Sequence, residues 1–424
     1  MATDIHRTID AVWRLESARL IASLTRMVHD VGLAEDLAQG ALVAALEQWP
    51  QSGIPEKPGA WLMTTAKHHA IDQIRRNIRL ERKTEQLGRD LELQQEPGVP
   101  EPEVDEEGDM GDDLLRLIFI ACHPILSKEA RLALTLRLLG GLSTDEIARA
   151  FLVPEPTIAQ RIVRAKRTLS EAHVPFEVPV GDERAVRLSS VLEVIYLIFN
   201  EGYSATSGDD WVRPGLCEDA LRLGRVLAEL APHEPEVHGL AALMEIQSSR
   251  LRARTGPSGE PIPLLEQNRG RWDQLLIQRG FAALIRAEKL GGSLGPYRLQ
   301  AAIAACHAQA RTAEETDWER IVALYDALAQ IAPSPVVELN RAVAVSIAFG
   351  PAAGLAIVDN LLSEPSLKSY HLLPGVRGDL LAKLERFDEA GEEFERAASL
   401  TKNAQERELL LERAVAMRGK SSSS

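Results

Sequence analysis

Residues 143–169 carry side chains that can recognise nucleic acid, at spacings typical of two short helices joined by a turn. Ser143 and Glu146 have the spacing of a capping box, which predicts a helix beginning at Thr144. Phe151–Val153 then form a turn, and the segment after it predicts a second helix, because proline is tolerated in a first helical turn. The inner face of this second helix carries Ile158, Ile162, Ala165 and Leu169, and its outer or flanking positions carry Thr157, Gln160, Arg161, Arg164, Lys166 and Arg167.

These outer side chains have the chemistry of a base-reading helix. Gln160, Arg161 and Arg164 can make paired hydrogen bonds to adenine or guanine edges in the major groove. Lys166 and Arg167 can contact phosphates and thereby set the register on DNA. The alternative is an ordinary amphipathic hairpin with a solvated basic face. The capping box, the short turn and the basic second helix together favour DNA binding.

The net charge of −14 is unusual for a DNA-binding protein, but its distribution is uneven. Residues 155–169 carry one acid and four bases, so the second helix is locally basic. Any DNA binding should therefore be focused on a short segment. A single acidic segment, 91–113, accounts for most of the net charge through Glu92, Glu96, Glu101, Glu103, Asp105, Glu106, Glu107, Asp109, Asp112 and Asp113.

The composition predicts an all-α protein. Apolar residues make up 45% of the 424 residues but aromatic residues only 4%, which suits helices that pack through small side chains. The three cysteines are far apart, so neither a zinc site nor a disulfide framework is expected. The N-terminal residues do not resemble a signal peptide, and no apolar run is long enough to cross a membrane. The sequence therefore predicts a cytoplasmic protein that does not act at a membrane.

Periodicity and composition divide the chain into five segments. Helices are expected over 9–81, with a Pro- and Gly-rich loop at Pro50–Pro58. A flexible acidic linker is expected over 82–112, because that segment has too few apolar residues to fold alone. Helices return over 113–175, a long helical array follows over 176–418, and the tail 419–424 is expected to be disordered.

The long array contains a weak internal repeat. One set of residues is Ala231, Pro232, Pro235 and Val237. A second, matching set follows along the chain at a distance of about three 34-residue helical hairpins. A third segment, from Leu384 to Ala397, places an aromatic residue and two alanines where paired helices pack closely. The pattern is typical of tetratricopeptide-like repeats, and an irregular helical bundle is the alternative. The second set is Ala332, Pro333, Pro335 and Val337.

The segment from Leu142 to Lys166 resembles region 4 of the extracytoplasmic-function (ECF) sigma factors. In that family, region 4 recognises the −35 promoter element. The resemblance assigns that role to the outer residues of the second helix, and it implies that promoter DNA is a partner. Pro154 departs from the family, which often has a capping serine there, so the start of the helix is uncertain by one turn.

A second segment, Ala34 to Leu42, resembles sigma region 2.2, the helix that docks on the β′ clamp of core RNA polymerase. The resemblance places Asp36 and Gln39 on the docking face, although a solvated helix face is an equally simple interpretation of the pattern. Gly40 and Leu42 depart from the acid and the phenylalanine that are common in the family. These departures predict weaker or repositioned docking.

Residues 61–76 resemble sigma regions 2.3 and 2.4, which bind the single-stranded −10 element. Stacking and cations are the expected chemistry for unpaired bases. Trp61 could stack on a base, although a role in the core is favoured for it. The loop at Pro50–Pro58 would hold a flipped base, and His68 and His69 are adjacent and make a poor metal pair. The residues predicted to contact the −10 element are Trp61, Lys67, His68, Arg75 and Arg76.

The rest of the chain shows no nucleotide-binding, zinc or nucleophile motif, so no cofactor, metal site or enzymatic activity is expected. Leu197–Ser204 places Asn200, Glu201 and Tyr203 at a helix-to-loop transition, which favours capping and packing over a polar contact site. The whole arrangement resembles ECF sigma factors with a tetratricopeptide-like C-terminal extension. That resemblance implies that the extension controls activity, through a partner protein of the DGPF (YCII-related) type or through contact with the sigma modules.

Two functions remain open from the sequence. The first is a sigma factor that binds core RNA polymerase and directs promoter-specific initiation. The second is a stand-alone helix-turn-helix regulator with a repeat scaffold for protein interaction. The near-neutral residues 1–90 and the acidic linker favour the first, because they offer a stand-alone regulator few phosphate contacts. The acidic linker could occupy the RNA channel of polymerase, or it could simply keep the protein soluble.

Overall fold

A computed structural model describes residues 2–88, 108–205, 207–257 and 259–421. It is all-α, as the sequence predicts. The first eight helices are α1 (Ala2–Val28), α2 (Val31–Ser52), α3 (Pro58–Gly88), α4 (Gly108–Ala121), α5 (Lys128–Leu138), α6 (Thr144–Phe151), α7 (Glu155–Glu171) and α8 (Gly181–Tyr203). The others are α9 (Pro214–Leu230), α10 (Pro235–Ser248), α11 (Gln274–Leu290), α12 (Pro296–Gln309), α13 (Trp318–Ile331), α14 (Pro335–Phe349), α15 (Pro351–Leu361), α16 (Leu372–Lys383), α17 (Phe387–Leu400) and α18 (Ala404–Ser421).

Strands contribute only one short pair to the described residues, β1 (Ser207–Gly208) and β2 (Lys402–Asn403), which run parallel. Single 3₁₀ turns occur at Leu251–Ala253, Leu264–Glu266, Arg269–Arg271 and Pro365–Leu367. The chain forms two compact units, 1–194 and 195–424. Within the described ranges, none of the helices combines the length and the apolar character needed to cross a membrane.

In the first unit, α1 packs against α2, α3 and α4, and α5 packs against α7. Apolar residues that recur every three or four positions explain the packing of these helices. Leu20, Leu24, Trp49 and Leu62 are among the buried ones. The two segments that resemble sigma regions therefore share one compact unit. Within this unit α1 contacts α4 and α5, and α2 contacts α7.

Three predicted boundaries differ from the structure. Pro50 lies inside α2, which ends at Ser52 with the amide of Gly53 donating to the carbonyl of Trp49, so the loop is shorter than 50–58. Proline is tolerated there because it interrupts only the end of the helix. The helices α3 and α4 extend into the segment predicted as a linker, and its central part, 89–107, lies outside the described residues. The helix α18 continues to Ser421, into the tail predicted to be disordered.

The first unit ends within α8, beyond the boundary expected near residue 175. Side chains in the first half of this helix form hydrogen bonds with polar groups of α4, of the turn that follows it, and of α5. The buried guanidinium of Arg187 donates to the carbonyl of Phe119 at 3.1 Å, and the hydroxyl of Ser190 donates to the carbonyl of Cys122 at 2.6 Å. Removing the chain after residue 175 would therefore leave buried carbonyls of α4 without these donors.

Arg187→Ala is expected to lower the stability of the first unit by about 1–1.5 kcal/mol. The substitution removes the donor to Phe119 and an ion pair at 3.1 Å to Glu183, whose side chain is mostly exposed, so solvent screens much of this second interaction. Urea unfolding followed by circular dichroism would measure the change. Val186→Ala, at an exposed neighbouring position, is the matched control. An equal effect of the two substitutions would contradict the role given to Arg187.

The second unit is built from successive helical hairpins. The repeated sequence marks the same turn twice. Ala231 is the C-cap of α9 and α10 begins at Pro235, as Ala332 is the C-cap of α13 and α14 begins at Pro335. Both capping alanines have similar backbone angles, φ −126° and ψ 60° in one and φ −139° and ψ 66° in the other. The duplicated residues therefore encode the turn between the two helices of a hairpin.

The C-terminal hairpins also pack as the sequence suggests. Ala390, Phe394 and Ala397 are buried on α17. A Cβ added at Gly378 of α16 would lie 2.9 Å from the ring of Phe394, so glycine is required for this close approach. Small residues thus allow the helices of each hairpin to touch, which fits a repeat-like array without assigning it to a named repeat family.

Residues 197–204 form the helix-to-loop transition predicted from the sequence, because α8 ends at Tyr203. The carboxylate of Glu201 forms an ion pair with Arg213 at 2.5 Å, and the amide of Arg213 donates to the carbonyl of Gly202. The guanidinium of Arg254 lies 3.7 Å from the centre of the Tyr203 ring. Capping and packing therefore account for the polar residues of this segment.

Candidate nucleic-acid interface

The helix-turn-helix has the local geometry that the sequence predicts. The hydroxyl of Ser143 accepts from the amide of Glu146 at 3.1 Å, and the carboxylate of Glu146 accepts from the amide of Ser143 at 2.8 Å. The helix α6 ends at Phe151, and Leu152 adopts a left-handed conformation at φ 50° that reverses the chain. The helix α7 then begins at Glu155, with Pro154 as its N-cap and no side-chain cap. The start of the predicted recognition helix is thereby fixed.

The two faces of α7 are separated as expected. Its inner face, Ile158, Ile162, Ala165 and Leu169, is buried. Gln160 and Arg164 are exposed, whereas Thr157 and Arg161 are half-buried. Arg167 is exposed and its Nε lies 2.7 Å from Glu171 one turn later. Gln160 and Arg164 are therefore the predicted base-reading residues with the most accessible side chains.

Lys166 lies in a different environment from the one predicted. Its Nζ is 2.5 Å from Oε2 of Glu35 on α2, and its side chain is only 19% exposed. The Nε of Arg137 on α5 donates to the other oxygen of Glu35 at 2.6 Å, and Gln39 also donates to that oxygen, at 2.5 Å. Glu35 is almost fully buried. In this conformation Lys166 binds a carboxylate, so a phosphate contact would require this ion pair to open.

Further contacts join the same parts of the first unit. Arg14 of α1 forms an ion pair with Glu146, the acid of the capping box. Arg26 of α1 lies 3.2 Å from Asp113 of α4, which Arg116 also contacts at 2.7 Å. Burial raises the pKa of Asp113 despite the two cations. Ion pairs thus connect α1 to α4 and to α6, in addition to the pair that joins α2 to α7.

The predicted docking residues on α2 have different surroundings. Asp36 is exposed, whereas Gln39 is half-buried and bonded to Glu35. Gly40, one of the two departures from the family pattern, has a structural reason: an added Cβ would lie 3.1 Å from Nδ1 of His69 on α3. A side chain at this position would therefore require the His69 ring to shift by a few tenths of an ångström. The two helices meet closely here because Gly40 has no side chain.

The residues predicted to bind the −10 element all lie on α3. His68, Arg75 and Arg76 are exposed on the side opposite the buried Leu62, Ala66 and Ala70, whereas Lys67 is half-buried at the edge of that side. Arg75 also approaches Asp72 at 4.0 Å. Trp61 is half-buried and packs edge-to-face on the buried Trp49, with ring centres 5.4 Å apart. This packing fits the core role that the sequence favours for Trp61.

Sequence reasoning missed Glu35 and Arg137. Glu35 is part of the segment that resembles region 2.2, but nothing in a helix of mixed polar and apolar residues marks a buried acid. Arg137 is 102 residues away, so only the fold brings the two together. In the part of the chain that the structure describes, no group of three or more His, Cys, Asp or Glu side chains could hold a metal ion.

Family comparisons match both halves of this interface. Residues 13–80 match the model of Sigma-70 region 2, and residues 116–169 match the model of Sigma-70 region 4. Residues 187–288 match a family of unknown function, DUF6596. The matched ranges cover α2, most of α3, and the helix-turn-helix, and the order of the regions is that of a sigma factor.

Relatives support the same assignment. An uncharacterized protein of Rhizobium meliloti is 44% identical over 398 residues, which is 92% of each chain. The probable ECF RNA polymerase sigma factor SigI of Mycobacterium tuberculosis is 27% identical over 43% of this chain and 61% of its own. The RNA polymerase sigma-H factor of Pseudomonas aeruginosa is 26% identical over 37% of this chain and 81% of its own. No solved structure is significantly similar.

Sigma-70 regions 2 and 4, in this order, define a helical transcription initiation factor. The chain belongs to the ECF branch of the sigma-70 family, and it carries a DUF6596 segment in its C-terminal half.

Proposed function

We propose that the protein binds core RNA polymerase through α2, engages the −10 element through α3, and reads the −35 element through α7. The observation that carries this proposal is the pair of region matches together with the exposed polar face of α7, where Gln160 and Arg164 are accessible above a buried apolar face. Arg and Gln side chains on such a helix can pair with guanine and adenine edges. Thr157 and Arg161 flank this face.

Docking on the β′ clamp is assigned to the surface around Asp36. An exposed acid can pair with a basic partner surface, and placing a like charge there costs binding energy. Gln39 is half-buried and donates to Glu35, and it would contact polymerase from the edge of the same surface. This makes Asp36 the more informative position for a test.

Asp36→Arg is expected to reduce promoter-specific run-off transcription at least tenfold, which corresponds to about 1.4 kcal/mol in polymerase binding. Glu47→Arg is the matched control, because Glu47 is an equally exposed acid on the same helix. Transcription that is unchanged by Asp36→Arg, at protein concentrations below saturation, would show that polymerase docks elsewhere.

The −10 element is assigned to α3 and the loop before it. His68, Arg75 and Arg76 provide exposed cationic or polar groups for unpaired DNA, and Lys67 lies at their edge. Trp61 is half-exposed beside Trp49, which leaves part of its ring available to a base. The loop that would receive a flipped base is residues 53–57, shorter than the sequence predicts.

A gel shift with promoter DNA, carried out with and without core polymerase, tests the proposed function as a whole. A sigma factor should form a promoter-specific complex only with core polymerase. The protein carries a net charge of −14, which disfavours binding to DNA by itself. Tight, sequence-specific binding without polymerase would instead identify a stand-alone regulator.

The C-terminal unit is assigned a regulatory role. The successive helical hairpins of this unit support the proposal, because arrays of helical repeats present extended surfaces on which partners bind. A small protein of the DGPF (YCII-related) type, or the sigma regions themselves, would be the partner by family resemblance. Co-purification of the full-length chain with such a protein, and its effect on run-off transcription, would test this assignment.

A further inference from the structure

A cavity of 220 Å³ lies among helices of the C-terminal unit. Its lining includes Tyr196 from α8, Gln247 from α10, Gln300 and His307 from α12, and Tyr325 from α13, and it also contains Arg250, just after α10. Asn340 of α14 is exposed at its edge. Since one water occupies about 30 Å³, the cavity can hold several waters or a small organic molecule.

Three buried polar atoms of this lining have no hydrogen-bond partner within the described residues: Oε1 of Gln247, Nε of Arg250 and Nδ1 of His307. Buried polar atoms in folded proteins are nearly always hydrogen-bonded, because leaving one unpaired costs free energy. These three come from two helices and the turn after one of them, and they lie in the wall of one cavity. A bound anion would supply an acceptor to Nε of Arg250 and to Nδ1 of His307 in its N–H tautomer, whereas Oε1 of Gln247 needs a donor, such as a water bound beside the anion.

The cavity also has an unbalanced charge. Arg250 is buried, and no carboxylate among the described residues forms an ion pair with it. Its neighbours are the phenol of Tyr203, the ring of Trp272 at 5.7 Å and the second cation Arg254. A neutral phenol can hydrogen-bond the guanidinium but cannot neutralise it. A buried cation is costly unless an anion accompanies it.

Neighbouring side chains add hydrogen-bonding capacity without adding negative charge. Burial, with the charges of Arg250 and Arg269, lowers the pKa of His307 to about 3, so its ring is neutral near pH 7. Burial raises the pKa of Tyr325 to about 12, so its phenol is also neutral. The contrast with Arg269 is informative, because that guanidinium donates to the carbonyls of His307 and Ala310 and to Thr316. Arg250 has no comparable set of acceptors.

We propose that this cavity is a binding site for a small organic anion whose carboxylate pairs with Arg250 and accepts from His307, and whose body lies against Leu243, Ile303 and Ala304. The apolar part of the wall, Leu243, Ile303 and Ala304, favours a carboxylate with an apolar or aromatic body over a bare inorganic ion. Binding does not depend on whether the protein initiates transcription, so the two proposals can fail separately.

The test uses the full-length protein with three carboxylates, acetate, benzoate and indole-3-acetate, and with their amides as uncharged controls of the same shape. The first readout is tryptophan fluorescence, because Trp318 lies edge-on to His307 at 5.1 Å and Trp272 faces Arg250. The second readout is the thermal midpoint, which rises for any ligand that binds only the folded state. Benzoate or indole-3-acetate should change both, and its amide should change neither.

Arg250→Met is the decisive variant. If Arg250 serves a ligand, replacing an unpaired buried cation by an apolar side chain of similar length should abolish the response to benzoate and indole-3-acetate, and it should leave the unliganded thermal midpoint unchanged or higher. Arg225→Met is the matched control, because Arg225 pairs with Glu245 at 2.7 Å outside the cavity lining, and it should keep the carboxylate response. Trp318→Phe assigns the fluorescence change to the cavity.

Gln247→Glu keeps the proposal testable if Arg250→Met fails to fold, since it keeps the size of a half-buried side chain and adds a carboxylate to the same lining. That carboxylate repels an anionic ligand and competes for Arg250, so carboxylate binding should weaken by about tenfold or more. The proposal is overturned if none of the three carboxylates produces a response in the wild-type protein, if the amides respond equally, or if the Arg250→Met protein binds as the wild-type protein does.

Discussion

Glu35→Gln is expected to lower the free energy of unfolding of the first unit by about 3 kcal/mol. Glu35 is buried and accepts from Arg137 and Gln39 while pairing with Lys166. Glutamine keeps the size of the side chain but removes the charge, which leaves two partly buried cations without their anion. Losing one partner of a buried ion pair is costly for this reason, even where the intact pair contributes little.

Urea unfolding, combined with hydrogen exchange of the amides of α2, α5 and α7, would measure this effect. Exchange is needed because a chain with two compact units need not unfold in one step. Glu47→Gln is the control on the same helix, since Glu47 is exposed, and it should change stability by less than about 0.5 kcal/mol. Similar results for the two substitutions would mean that the contact between α2, α5 and α7 does not stabilise the unit.

Arg164→Ala is expected to relax promoter choice at one position of the −35 element, with a loss of discrimination of about 1–3 kcal/mol. Arg164 is exposed on α7 and forms no ion pair with any residue that the structure describes, so its guanidinium is available to a base. A bidentate contact to guanine is the strongest contact of this kind that a single arginine makes.

Run-off transcription by the reconstituted holoenzyme, on a promoter library randomised over the −35 element, would measure the preference. Arg19→Ala is the control, because Arg19 is an exposed arginine on α1 and its loss changes the net charge equally. That substitution should affect all promoters alike or not at all. A uniform decrease for Arg164→Ala, with the base preference retained, would assign Arg164 to a phosphate contact instead.

Local features of the interface were predictable from the sequence. The capping box of Ser143 and Glu146 and the buried face of α7 depend on residues that follow one another at intervals of three or four positions, which local helical patterns define. The order of regions 2 and 4 was likewise visible as two stretches of resemblance. The start of α7 was uncertain because proline can occupy either the cap or the first turn, and only the backbone angles distinguish these positions.

Long-range contacts were not predictable. The ion pairs of Glu35 join residues about a hundred positions apart or more, and the acidic residues between the two regions suggested separation instead. The cavity around Arg250 was missed for the same reason, because its lining comes from several helices and forms no motif. The sequence predicted the helix-to-loop transition at Tyr203, but not that the Tyr203 ring lies beside Arg250.

The ion pair between Lys166 and Glu35 has a consequence for any measurement of DNA affinity. One ammonium group cannot serve the carboxylate of Glu35 and a phosphate at once, so Glu35 acts as an intramolecular competitor for the same cation. Where a DNA complex requires Lys166 on a phosphate, the apparent dissociation constant equals the intrinsic constant divided by the fraction of molecules in which Lys166 is released. Each 1.4 kcal/mol by which the intact Lys166–Glu35 pair is favoured over the released lysine therefore weakens the apparent affinity for DNA about tenfold, whatever the base sequence.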